Sequence, residues 1–80
     1  MESLLSLMRR EDDLIAAKDK AFNKRVDLLH VLDEVRPSGQ VKQELEQKLK
    51  DLELQENILK DDIEQVHMSI KRYMLRLLGK

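Results

Sequence analysis

The chain has 80 residues, with 15 basic and 16 acidic side chains, a formal net charge of −1 and no cysteine. This charge balance gives no electrostatic reason to expect a nucleic-acid partner, and the lack of cysteine excludes disulfides and thiolate metal sites. Ala, Glu, Lys, Leu and Arg make up just over half of the chain, which is typical of a coiled coil or a long helix. We therefore expect one all-α domain in the cytoplasm or the nucleus, without the roughly 18 consecutive apolar residues of a membrane span.

The first predicted helix ends at the chain's one proline. Pro37 disfavours the α conformation at the residue before it, and Gly39 can adopt the backbone angles of a tight reversal. Ser3 is placed to cap the N-terminus of this helix with its hydroxyl. The sequence therefore predicts a helix over about residues 3–35 and a loop over residues 36–39. So short a loop makes the two helices that it joins antiparallel neighbours.

The second helix is predicted over about residues 40–78, with Ser38 as its N-cap and Gly79 at its C-terminus. Its apolar residues alternate at spacings of three and four, which is the heptad seam of a coiled coil. The seam combines two columns, Leu45, Leu52, Leu59, Val66 and Tyr73, and Leu49, Ile63, Ile70 and Leu77. Glu56 interrupts the second column. We expect its carboxylate to reach out toward Lys60 or a lysine of the first helix; the alternative is a polar contact that sets the register.

The first helix carries two apolar columns with a period of seven instead of one. The first column is Leu7, Leu14, Ala21, Leu28 and Val35, and the second is Met8, Ile15, Phe22 and Leu29. Between them runs a column with three charged members at its centre, Leu4, Glu11, Lys18, Arg25 and Leu32. A helix that packs on a single neighbour is expected to have one stripe that is most apolar at its centre. Two apolar columns separated by charge therefore predict two neighbours, of which the hairpin supplies one.

The predicted protein interface lies on the second column of the first helix and at the open end of the hairpin. Its residues are Leu4, Leu5, Met8, Ile15, Phe22, Val26, Leu29, Met74, Leu75 and Leu78. Phe22 is the one phenylalanine of the chain and lies mid-helix, so we expect it to anchor the interface. Which column of the first helix faces the second helix stays open at this level.

No catalytic, cofactor or metal site is expected. Asp27–His30 and Glu64–His67 both have the acid-x-x-His spacing of di-metal helical bundles. In an antiparallel hairpin His30 lies opposite about residue 46, far from His67, so one chain does not bring the two motifs together. The serines have no histidine beside them in the helical register, and no phosphate-binding or dinucleotide-binding motif is present. We therefore expect a protein that is not an enzyme and has no small-molecule substrate.

The last ten residues contain four basic side chains and no acidic ones, namely Lys71, Arg72, Arg76 and Lys80. Cations stabilise a helix C-terminus through the helix dipole, and a basic amphipathic segment is also typical of helices that touch anionic lipid. The apolar open end with its basic neighbours also suits an acidic amphipathic helix, and a second copy of the chain is the alternative cover for it.

The sequence thus predicts an antiparallel two-helix coiled-coil hairpin that a second chain completes into a larger helical bundle. Its predicted function is that of a non-catalytic assembly module, which pairs with itself as a homodimer or with helices of another subunit. The alternative is a peripheral lipid-binding module that uses the basic C-terminus.

Overall fold

Two long helices fold back on each other. The computed structural model describes residues 3–79, in which helix α1 spans Leu4–Val35 and helix α2 spans Gly39–Leu78. The two pack along their lengths into a rod of 62 × 17 × 15 Å. The all-α helical hairpin expected from the sequence is confirmed. Lys80, a member of the predicted basic segment, lies outside the described residues.

Both ends of α1 are closed by local hydrogen bonds. The hydroxyl of Ser3 accepts a hydrogen bond from the Ser6 backbone N–H at 3.1 Å, as expected of an N-cap. At the other end the Arg36 N–H donates to the Leu32 carbonyl at 3.2 Å, with Arg36 in the left-handed region at φ 51°. Glycine usually occupies this capping position. Here Arg36 occupies it, and the Pro37 that follows disfavours the right-handed α conformation at this residue.

Helix α2 begins one residue earlier than the sequence suggests, so the connection is the three-residue segment 36–38. Gly39 is its first residue and has a φ of 66°, which other residues rarely adopt. Ser38 occupies the N-cap position, but its side chain makes no capping hydrogen bond. At the C-terminus the Gly79 N–H donates to the Leu75 carbonyl at 2.7 Å with a φ of −80°, so α2 ends without a left-handed glycine.

The core follows the predicted seam of α2 and the first column of α1. Among the described residues, the side chains that are 3–7% exposed are Leu7, Ala21, Leu52, Val66 and Ile70. Leu7, Val66 and Ile70 form one cluster, against which partly buried side chains pack near the open end of the hairpin: Leu4, Leu14 and Tyr73. The first column of α1 therefore faces α2, which answers the question that the sequence left open.

The charged column of α1 lies within the seam between the two helices. Glu11, Lys18 and Arg25 are half-buried, in line with the half-buried Leu4 and Leu32 of the same column. A helix contacts a neighbour along two adjacent columns that alternate at spacings of three and four, and the first column takes this charged column as its companion. The charge that was expected to separate two seams of α1 therefore lies within the seam that α1 makes with α2, where Glu11 and Arg25 contact side chains of α2.

Replacing Leu52 with alanine is expected to lower the free energy of unfolding by about 2–5 kcal/mol, because its buried side chain leaves a cavity in the seam. Leu54 lies two residues further along the same helix and is 60% exposed, so Leu54→Ala is a matched control with an expected change of about 0.5 kcal/mol or less. Urea titrations followed by circular dichroism measure both variants. Equal losses in the two variants would show that α2 does not use this seam.

Candidate protein interface

One apolar column of α1 is left uncovered when the hairpin forms. Met8, Ile15, Phe22 and Leu29 are 40–47% exposed, and we call the surface that these four residues form the outer face of α1. They repeat every seven residues, so the outer face is a line of apolar side chains that extends roughly 30 Å along the helix at 1.5 Å per residue. Single exposed apolar side chains are ordinary on protein surfaces, but four of them aligned on one side of a helix make this line a candidate interaction surface.

Beside the outer face, an arginine of α1 holds the glutamate that interrupts the α2 seam. The Arg25 Nε donates to Glu56 Oε2 at 2.6 Å, and Nη2 donates to Oε1 at 3.4 Å. The Glu56 side chain is 12% exposed and the Arg25 side chain 30%. The hydrogen bond that Arg25 donates to Glu56 is the main cause that raises the pKa of Arg25 above its ordinary value. The expected partner, Lys60 or a lysine of α1, was therefore wrong, and the contact favours the register-setting alternative.

The same arginine links the seam to the outer face. Its guanidinium carbon lies 5.3 Å from the centroid of the Phe22 ring, within the range of a cation–π contact. Glu56 fixes the guanidinium from one side, and Phe22 packs on it from the other. The i, i+3 spacing of Phe22 and Arg25 was available in the sequence, but their joint link to Glu56 depends on the register between the helices.

A second cross-helix pair lies nearer the open end. Glu11 Oε2 and His67 Nδ1 are 3.1 Å apart, with His67 mostly exposed. His67 thus lies beside α1, and His30 is exposed near the loop end of the hairpin. Within residues 3–79 no three His, Asp or Glu side chains are grouped as they would be around a metal ion.

The open end divides into covered and uncovered residues. Leu4, a member of the predicted interface, is half-buried and packs against the core cluster, and Val26 is half-buried at mid-helix. The remaining predicted interface residues at this end are exposed: Leu5, Met74, Leu75 and Leu78. Leu77, which the heptad pattern places in the seam, is 60% exposed because the seam runs out at the end of α1.

No family model, curated protein or solved structure matches this chain. Neither described helix contains an apolar stretch long enough to cross a membrane. The outer face of α1 is the most regular feature of the surface that the hairpin presents.

Replacing Glu56 with leucine is expected to lower the thermal midpoint of the hairpin, because Arg25 then lies partly buried without its carboxylate. Replacing both residues, as Arg25→Leu and Glu56→Leu, is expected to recover that loss or exceed the stability of the native chain, since a packed apolar pair often matches an ion pair. Thermal melts of the two single variants and the double variant form a double-mutant cycle. If the changes in the two single variants simply add, the residues are not coupled.

Proposed function

We propose that this chain is a non-catalytic assembly module whose outer face of α1 packs against helices of another subunit or of a second copy. The observation that carries the proposal is the outer face itself, four apolar side chains aligned with a period of seven and 40–47% exposed. A line of apolar residues at heptad spacing is how helices recognise other helices. A third helix laid along this line would complete a bundle.

The small core of the hairpin supports this proposal. Five side chains within residues 3–79 are buried. On each helix, the side that points away from the seam is exposed to solvent. Chains of this size often need additional burial to be stable, because much of their surface stays exposed on folding. A partner that covers the outer face removes apolar area from water and so stabilises the folded hairpin.

Phe22 is the proposed anchor of the interface. It lies at the middle of the outer face, and large aromatic side chains near the centre of an interface tend to dominate binding energy. The contact with Arg25, which Glu56 holds in turn, limits the orientations that the ring can adopt before binding. An anchor that is already ordered loses less conformational entropy when a partner docks.

The full chain in extracts of its own cells is expected to migrate as an assembly clearly larger than its 9.5 kDa mass. Replacing Phe22 with glutamate should reduce the assembled fraction about tenfold or more, because a charge then enters a buried apolar contact. Leu54→Glu, at an exposed apolar position of α2, is the matched control and should leave the assembly intact. Size-exclusion chromatography with immunodetection measures the assembled fraction, and circular dichroism of the purified variants shows that both remain helical.

A native chain that migrates as a helical monomer, both in extract and after purification at micromolar concentration, contradicts the proposal. So does an assembly that Phe22→Glu leaves intact, because the outer face would then take no part in it.

The competing function is lipid binding by the C-terminal end of α2, which the exposure of Leu75 and Leu78 beside Arg72 and Arg76 favours. If the chain is an assembly module, it should not sediment with anionic lipid vesicles in a salt-dependent manner. Cosedimentation at low and high salt measures this. Lipid binding would be supported instead if the chain binds the vesicles and high salt abolishes this binding. Charge reversal at Arg72 and Arg76 should then remove the binding, and Phe22→Glu should have no effect on it.

A further inference from the structure

We infer, on the basis of the proposed function, that the outer face of α1 takes a basic amphipathic helix from a different protein chain, not a second copy of this chain. The inference rests on the charges that border the outer face and on the positions at which they repeat.

A row of acidic side chains lines one edge of the outer face. Asp12, Asp19 and Asp33 each follow a member of the outer face by four residues, and residues four apart are neighbours on a helix surface. The third position of this row is the half-buried Val26. The row therefore reads acid, acid, apolar, acid, with every position seven residues from the next.

These acids have no ion-pair partner in the hairpin. All three are exposed, and within residues 3–79 none of them forms a salt bridge. On the opposite edge of the outer face, Glu11 and Arg25 are already held by residues of α2, and the half-buried Lys18 between them forms no salt bridge with a described residue. An uncompensated acidic row beside an apolar line favours a partner with basic side chains at the matching positions.

A second copy of the chain fits this row poorly. In a parallel pairing of two outer faces, the acidic row of each copy would face the opposite edge of the other, where Asp12 meets Glu11 and Asp33 meets Leu32, and Asp19 alone meets a base, Lys18. In the antiparallel pairing that superposes all four apolar residues, the centre falls between Ile15 and Phe22, so Asp19 lies beside Asp19 of the second copy. Like charges placed opposite each other across a helix pair oppose association.

The partner helix can therefore be specified. It carries apolar residues at heptad spacing along one face and a Lys or Arg at three of four successive positions seven residues apart. The remaining position, which meets Val26, is apolar. Basic residues at the edge of a helix seam set partner choice and orientation more than affinity.

Two synthetic helical peptides test the inference on the full chain. Both have an apolar heptad face; one has Lys at the three positions that meet the acidic row, and the other has Glu there. Each is made in the sequence orders for parallel and for antiparallel pairing. Fluorescence anisotropy at low salt measures the affinities. The Lys peptide, in whichever sequence order binds more tightly, should have a dissociation constant about tenfold or more below that of the Glu peptide. Its advantage should shrink as salt rises.

Charge reversal of the row provides the specific variant. Asp12→Lys, Asp19→Lys and Asp33→Lys together should invert the preference, so that the Glu peptide binds more tightly. The matched control reverses three exposed acids on the far side of α1, as Asp13→Lys, Asp27→Lys and Glu34→Lys. This control changes the net charge by the same amount and should keep the preference for the Lys peptide.

The possible outcomes separate the inference from the proposed function. Equal binding of the two peptides, or a preference that both triple variants invert alike, overturns the inference and leaves the outer face as an assembly site. A mass that doubles with concentration and returns to that of a monomer in Phe22→Glu identifies a second copy as the partner and also overturns it. If the chain stays monomeric in cell extract and neither peptide binds it, the inference and the proposed function are overturned together.

Discussion

A helix with a single neighbour can bury only the two adjacent columns that face that neighbour. Helix α1 has three columns that repeat every seven residues, and α2 covers the first apolar column and the charged column. The second apolar column then has no neighbour within the hairpin. The position of the buried cluster, the exposure of Phe22 and the proposed need for a partner all follow from this geometric limit.

Two of the three charged residues in the charged column of α1 contact side chains of α2. Arg25 and Glu56 meet through two hydrogen bonds, and Glu11 meets His67. Such pairs often add little net stability compared with packed apolar residues, and a register that separates the partners loses their contact. In this hairpin the guanidinium of Arg25 also lies 5.3 Å from the centroid of the Phe22 ring, so the Arg25–Glu56 pair connects the seam to the outer face.

The two sides of α1 therefore have different roles in this arrangement. The side toward α2 makes the hairpin, with a small core and polar contacts that define the alignment of the helices. The side away from it presents an apolar line beside an acidic row, which suits a helix from another chain. Assembly and folding would then be coupled, because a partner that covers the outer face stabilises the hairpin.

The elements themselves could be read from local sequence. Period-seven columns predicted both helices and the seam of α2, and Pro37 with Gly39 predicted the reversal, because periodicity and turn residues are properties of neighbouring positions. The two apolar columns of α1 were likewise visible, and with them the outer face. The tertiary structure decided which of these columns α2 covers, that Glu56 binds Arg25, and that Arg36 adopts the left-handed conformation. These depend on how each helix is rotated and aligned against the other. Contacts between residues far apart in the chain set that alignment, and the repeat within a single helix does not encode it.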